Sequence, residues 1–454
     1  MNGDDKIAAS DDCAVLVELP LGDAAPDFSL EKAVCSHGLF MMSPNHWDPH
    51  SKTFRRPLRL DADGDETSRV VHVSHPPDSA HVLHVRVIGT RVLTTQQQQF
   101  LLPLNFQSQV RRMLRLSEEE NRRIVEFHEL HQEAKQRGFG RMFRSPTLFE
   151  DVIKCILLCN CQWSRTLGMA QALCELQAEL QHPSNEVHIF APNTPAGKES
   201  KRNSVARKCS KKLGKKYTED IAAVEDIETN INNSEILNFS DETEKLSTTL
   251  ISTHVPMSQP SEGTKDHLGP TIGNFPSPKE LATLDEGFLA RRCGLGYRAR
   301  RVINFAREIV QGRFQLSDLE CVSCGTVSIS NYENLSEKLR VMEGFGPYTC
   351  ANVLMCVGYY HVVPSDSETI RHLKQVHAKR STIETVQSDV EDIYGKYAPF
   401  QFLAFWSEIW QFYEERFGNL SQLSPTDYKL ITAANMRPKK RMGSKRKLSV
   451  VDEV

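Results

Sequence analysis

Residues 82–87 alternate apolar and polar side chains, and the runs 53–60 and 69–73 are rich in β-branched and aromatic residues, so all three predict strands. Asp63-Gly64 and Pro76-Pro77 punctuate them as turns, which gives a small antiparallel sheet inside an amino-terminal domain spanning 16–101, behind a polar, mobile tail over 1–15. From residue 102 the apolar period lengthens. Phe149, Val152, Ile153 and Ile156 fall on one helical face, and residues 102–182 read as the first part of a helical core. Over 183–274 periodicity disappears in a stretch rich in Ser, Thr, Asn, Lys and Glu, with a basic front and an acidic middle, which predicts a disordered insert. Helical periodicity resumes through 275–434, ahead of a basic tail over 435–454. The expected fold class is α+β: a small antiparallel sheet packed on a mainly α-helical core.

Composition changes this picture little. With 454 residues, 39% hydrophobic and 25% charged, the chain has room for two or three domains and for segments outside any core. Its net charge of -3 is low for a nucleic-acid binder, but local distribution governs binding, and acidic tails and inserts can mask a basic face. No stretch approaches a membrane span and the Asp-rich amino end has no signal peptide, so an intracellular chain with no membrane partner is expected. The 12 cysteines form no compact disulfide framework; Cys155, Cys159 and Cys356 lie on apolar helical stretches where a thiol packs as a small hydrophobe. Cys321-Val322-Ser323-Cys324 has neither a second pair nor a spaced histidine couple, so no metal and no cofactor are expected. Arg437, Lys439, Lys440, Arg441, Lys445, Arg446 and Lys447 form two basic clusters, read as a nuclear import signal, with a DNA-binding arm or a solvated charge run as alternatives.

Candidate chemistry begins at Gly344-Phe345-Gly346-Pro347-Tyr348. Leu335, Leu339 and Met342 fall at helical spacing before it, the glycines allow a tight turn, and Pro347 suits the first position of a helix running through Cys350, Leu354 and Val357. This predicts a helix-hairpin-helix in which the backbone at Gly344, Phe345, Gly346 and Tyr348 grips a phosphate at the second helix's positive end. Such a contact positions a nucleic acid without reading its sequence. Pro364-Ser365-Asp366 then opens the next helix with a carboxylate. Ser365 and Glu368 fit a capping box and Asp366 is itself a good helix starter, so a purely structural role stands beside a chemical one.

The hairpin followed by an aspartate resembles the helix-hairpin-helix DNA glycosylase superfamily. Two more stretches, Leu158-Cys159-Asn160-Cys161-Gln162-Trp163-Ser164-Arg165 and Cys293-Gly294-Leu295-Gly296-Tyr297-Arg298, resemble its eukaryotic 8-oxoguanine branch. The resemblance implies a catalytic role for Asp366, a reading of the orphaned cytosine by Asn160, Arg165 and Arg298, and insertion of Tyr297 into the gap left by a flipped base. Flipping costs a few kcal/mol of stacking and pairing, which an inserted ring offsets in part. Since the two stretches would serve one site, the flanks of the insert are expected to lie together.

Two departures qualify the resemblance. Tyr348 stands where the 8-oxoguanine enzyme carries the lysine that attacks the sugar, which favours a monofunctional reaction with water as nucleophile over strand cleavage. In the register set by Tyr397-Ala398, Phe402 and Trp406 fall at the resembled enzyme's lesion pocket, making it more aromatic, and Glu368, two residues past Asp366, falls at a histidine of that pocket. The expected protein is therefore a monomeric, nuclear DNA N-glycosylase of base excision repair acting on double-stranded DNA, with a guanine-derived lesion opposite cytosine. An alkylpurine glycosylase and a noncatalytic binder of damaged DNA are the alternatives.

Overall fold

A computed structural model describes residues 14–60, 68–89, 102–181, 273–323 and 327–436. Of the insert only 273–274 and of the basic tail only 435–436 are among the described residues, and Cys324 lies outside them. All described residues belong to one compact unit.

Five strands, β1 (Val15–Pro20), β2 (His46–Asp48), β3 (Thr53–Arg59), β4 (Ser68–Ser74) and β5 (Val82–Val87), form one sheet in the order β1-β5-β4-β3-β2. Every neighbouring pair is antiparallel. The alternation that predicted β5 is the alternation of its burial: Leu83, Val85 and Val87 are fully buried. β1 begins at Val15, inside the stretch expected to be a mobile tail. It buries Val17 and Leu19 and pairs with β5 from Val15↔Val87 to Pro20↔Val82, a long-range pairing that local composition does not signal.

The helical part comprises α1 (Leu30–Val34), α2 (Leu102–Leu114), α3 (Glu118–Leu130), α4 (Gln132–Arg137), α5 (Leu148–Leu158), α6 (Trp163–Gln181), α7 (Pro278–Ala282), α8 (Glu286–Arg292), α9 (Arg298–Val310), α10 (Ser317–Ser323), α11 (Ile329–Arg340), α12 (Pro347–Val357), α13 (Ser367–Val376), α14 (Val386–Tyr394), α15 (Gln401–Phe417) and α16 (Ala433–Met436). The architecture is α+β, as the periodicities predict. The two flanks of the insert lie together: Asn274 donates its backbone N–H to Gln177 Oε1 at 2.8 Å, and Gln177 Nε2 donates to Glu280 Oε1 at 3.0 Å.

Buried ion pairs fasten the sheet to the helices. Arg56 on β3 grips Glu150 on α5 with both guanidinium nitrogens, at 3.2 and 2.9 Å, and Lys154 completes the group at 2.7 Å. Burial pushes the Glu150 carboxyl up, but the charges of Arg56 and Lys154 outweigh it and hold the group down at about 2. Glu120, paired with Arg115, is likewise held at about 2. Both folded values lie below the ordinary glutamate value of 4.5, so the unfolded chain takes up these protons first. The stability they contribute is fully present above about 4.5 and is lost as pH falls through about 2. Urea midpoints measured across that window are expected to fall, and Glu150→Gln is expected to flatten the slope.

Candidate functional site

The hairpin is built as the spacing predicts. α11 buries Tyr332, Leu335 and Leu339, and α12 starts at Pro347. Between them Gly344 has φ +91°, where an added Cβ would be strained and would run into the Arg301 side chain. Gly346 is extended, with φ -79° and ψ 178°, and serves as the N-cap of α12, so only the first glycine is demanded by backbone shape. Phe345 is buried with its ring centroid 5.4 Å from that of Phe305 on α9, which makes its side chain an anchor for the turn. No side chain caps the start of α12. Its first N–H groups and dipole end are thus the anion-attracting feature of the hairpin.

The two other stretches converge beside it. Tyr297, at the N-cap of α9, is 49% exposed, with the guanidinium carbons of Arg298 and Arg301 at 4.6 and 4.7 Å from its ring centroid. Its hydroxyl donates to Cys159 O at 3.4 Å. Arg298 is buried and donates to both Cys159 O and Asn160 O, the latter at 2.9 Å. The Asn160 backbone adopts the left-handed φ of +47°, which asparagine tolerates better than most residues. Arg165 is exposed and donates to Gly294 O at 3.1 Å. Asn160 and Arg165 therefore present side chains to solvent, whereas Arg298 supports the turn that carries Asn160.

Arg301 went unnoticed in the sequence. It lies both on the Tyr297 ring and across Gly344, joining ring and hairpin, and the only signal for it was its place one helical turn after Tyr297. Arg300 Nε adds an ion pair to Glu343 at 3.2 Å, and Cys159 Sγ meets Thr349 Oγ1 at 3.0 Å.

Asp366 is the N-cap of α13, and its Oδ1 accepts from Thr369 N at 2.8 Å and Thr369 Oγ1 at 3.0 Å. The capping box expected from Ser365 and Glu368 does not form: Ser365 Oγ donates to Gln387 Oε1 at 3.1 Å, and Glu368 takes Arg371 in two contacts of 2.8 and 2.6 Å. Asp366 therefore holds the capping position, with Ser365 engaged elsewhere. Burial pushes its carboxyl above the usual aspartate value, and the Thr369 bonds only partly offset this. Burial, with the Asp366 charge added to it, pushes the Tyr348 phenol well up, so Tyr348 stays a neutral hydroxyl.

Tyr413 also senses Asp366. Its phenol is raised by burial, then by the charges of Glu368 and Asp366. It ends a ladder of rings along α15: Phe402 to Trp406 at 6.2 Å, Trp406 to Trp410 at 6.0 Å, Trp410 to Tyr413 at 6.3 Å. Phe402 is fully buried and so underlies this ladder. Trp406 is half-buried, donates Nε1–H to Ser36 O at 3.0 Å, and leans on His37 at 4.5 Å. Burial and the charge of Arg115 depress that imidazole to about 3, so a neutral ring meets the indole. Neither Phe402 nor Trp406 shares a hydrogen bond or ring contact with the Asp366 group. Among the rings of the ladder, Tyr413 is the one whose phenol the Asp366 charge raises.

No family model and no curated protein matches the chain. Among solved structures, it is similar to MBOgg1 in complex with a low-affinity DNA ligand, at 13% identity and TM-score 0.46, over 87% of this chain and 94% of that one. It is similar to the Clostridium acetobutylicum 8-oxoguanine glycosylase/lyase in complex with double-stranded DNA containing cytosine opposite 8-oxoguanine, at 12% identity and TM-score 0.44, over 86% and 92%. A third is the 3-methyladenine DNA-glycosylase from Archaeoglobus fulgidus, at 15% identity and TM-score 0.45, over 89% and 98%.

Proposed function

We propose that this chain is a monofunctional DNA N-glycosylase that flips a damaged base out of double-stranded DNA and releases it with the help of Asp366. The observation that carries this reading is the joining of an exposed ring to a phosphate-type hairpin, Tyr297 to Gly344 through Arg301, in a chain whose next helix is capped by the partly buried carboxylate of Asp366. In that arrangement α12 holds a phosphate, Tyr297 fills the gap in the stack, and Asn160 and Arg165 meet the base left behind. Asp366 stabilises positive charge developing on the sugar and orients water. Tyr348 cannot form an imine, so strand scission is not part of the reaction. The substrate is a guanine-derived lesion opposite cytosine; the ring ladder ending at Tyr413 favours an alkylated purine as the second reading. The chain works as a monomer in the nucleus, and the basic tail directs it there.

The decisive experiment is single-turnover incubation with duplexes carrying different lesions opposite each base, scored with and without alkali. Base release with breaks only after alkali is expected, and borohydride is expected to trap no covalent adduct. Efficient trapping would sink the monofunctional reading. Tight lesion binding without release from any duplex would leave a noncatalytic binder.

A further inference from the structure

We infer that His372, His377 and Glu408 form a zinc-type metal site at the end of α13 opposite Asp366. α13 carries Asp366 at its N-cap and His377 at its C-cap, while Glu408 comes from α15. Both imidazole Nε2 atoms lie on the same carboxylate oxygen, Glu408 Oε1, at 2.6 and 2.7 Å, and the three donor groups lie within 4.8 Å of one another. No compact motif announces this in the sequence, because the carboxylate is 36 residues from the first histidine.

The chemistry of the set favours a borderline ion. Two imidazoles and one carboxylate suit zinc, whereas calcium and magnesium prefer oxygen alone. The His372 ring is fully buried, with Phe405 and Phe412 edge-on at 5.7 and 5.9 Å, so the direction of Nε2 is fixed by packing. Its Nδ1 has no hydrogen-bond partner. The short contact to the Glu408 carboxylate therefore places the ring proton on Nε2, and an ion entering there would displace it, so binding releases a proton. The Tyr394 hydroxyl donates to Glu408 Oε1 at 2.9 Å, the kind of outer hydrogen bond that orients a ligating carboxylate.

Space and field also fit. An ion with bonds of ~2.0–2.1 Å sets tetrahedral ligand atoms about 3.3 Å apart, so the present contacts need to open by about 0.6 Å, which a turn of the Glu408 side chain supplies. Three protein ligands leave a fourth position, and a cavity of about 100 Å³ lined by His377, Glu408 and Tyr394 adjoins it, ample for a water. The carbonyl end of α13 carries partial negative charge that favours a cation. Two cations, Arg137 and Lys396, also border the cavity; Arg137 is held by Ser407 at 3.1 and 2.7 Å, and Lys396 lies over the Tyr397 ring at 4.9 Å. Bound metal would clamp α13 to α15 and so fix the helix whose other end presents Asp366.

The test uses the full chain, stripped with EDTA and desalted, then titrated with zinc chloride by calorimetry and with cobalt(II) by visible absorption. One zinc equivalent, d–d bands of four-coordinate cobalt with nitrogen and oxygen ligands, and a zinc-dependent rise in melting temperature are expected. His377→Gln and Glu408→Gln should each lose all three, while a Cys324→Ser control keeps them. His377 is only partly buried, so its variant decides the matter if Glu408→Gln fails to fold, with circular dichroism as the check. No stoichiometric zinc in the wild-type chain, or an undiminished equivalent in His377→Gln, would overturn the proposal.

Discussion

Asp366→Asn is expected to lower the single-turnover rate of base release by at least about 100-fold, the scale on which removing one preorganised electrostatic group acts, while lesion-duplex affinity stays within a few fold. The amide keeps an oxygen where Oδ1 accepts from Thr369, so the start of α13 remains capped. What it lacks is the negative charge needed as the sugar becomes cationic. The same reasoning sets a pH dependence. Burial raises the Asp366 carboxyl above the ordinary aspartate value, and only the ionised form works, so the rate is expected to fall on the acid side with a midpoint above that value. Glu368→Gln, whose carboxylate is paired with Arg371, should leave the rate nearly unchanged. Full activity in Asp366→Asn would remove the residue from the mechanism. A misfolded variant that Asp366→Ser rescues in stability but not in rate would separate capping from chemistry.

The parts of this arrangement that were legible in the sequence are those with local causes. Pro347 begins its helix because its ring presets the backbone and it has no N–H to lose, and the hairpin turns at Gly344 because only glycine sits at φ +91° without strain. Alternation showed β5, and helical spacing showed α5 and α11. What was not legible depends on partners distant in the chain. β1 is a strand because β5 lies beside it. The choice of Asp366 over Ser365 as cap is decided by the Gln387 side chain and by Thr369, which no spacing rule weighs.

Arg298→Ala is expected to cost discrimination for cytosine opposite the lesion by about 1–3 kcal/mol, roughly a 5- to 150-fold change in relative affinity, although Arg298 is buried. The route is indirect. One guanidinium nitrogen, Nη2, donates to the carbonyls of both Cys159 and Asn160 and holds Asn160 at φ +47°, so truncation frees the turn and lets the Asn160 amide wander from the base edge. It also removes one of the two cations from the Tyr297 ring. Arg298→Lys is expected to restore part of the preference, because a single nitrogen meets both carbonyls and an ammonium carries donors enough for the two. Arg165→Ala, at an exposed position, should reduce the same preference without lowering the melting temperature, whereas Arg298→Ala should lower both. These differences are measurable by competition binding with one lesion placed opposite cytosine or adenine. If Arg298 only steadied phosphates, its loss would weaken every duplex by a similar factor, make the salt dependence shallower, and leave the cytosine preference intact.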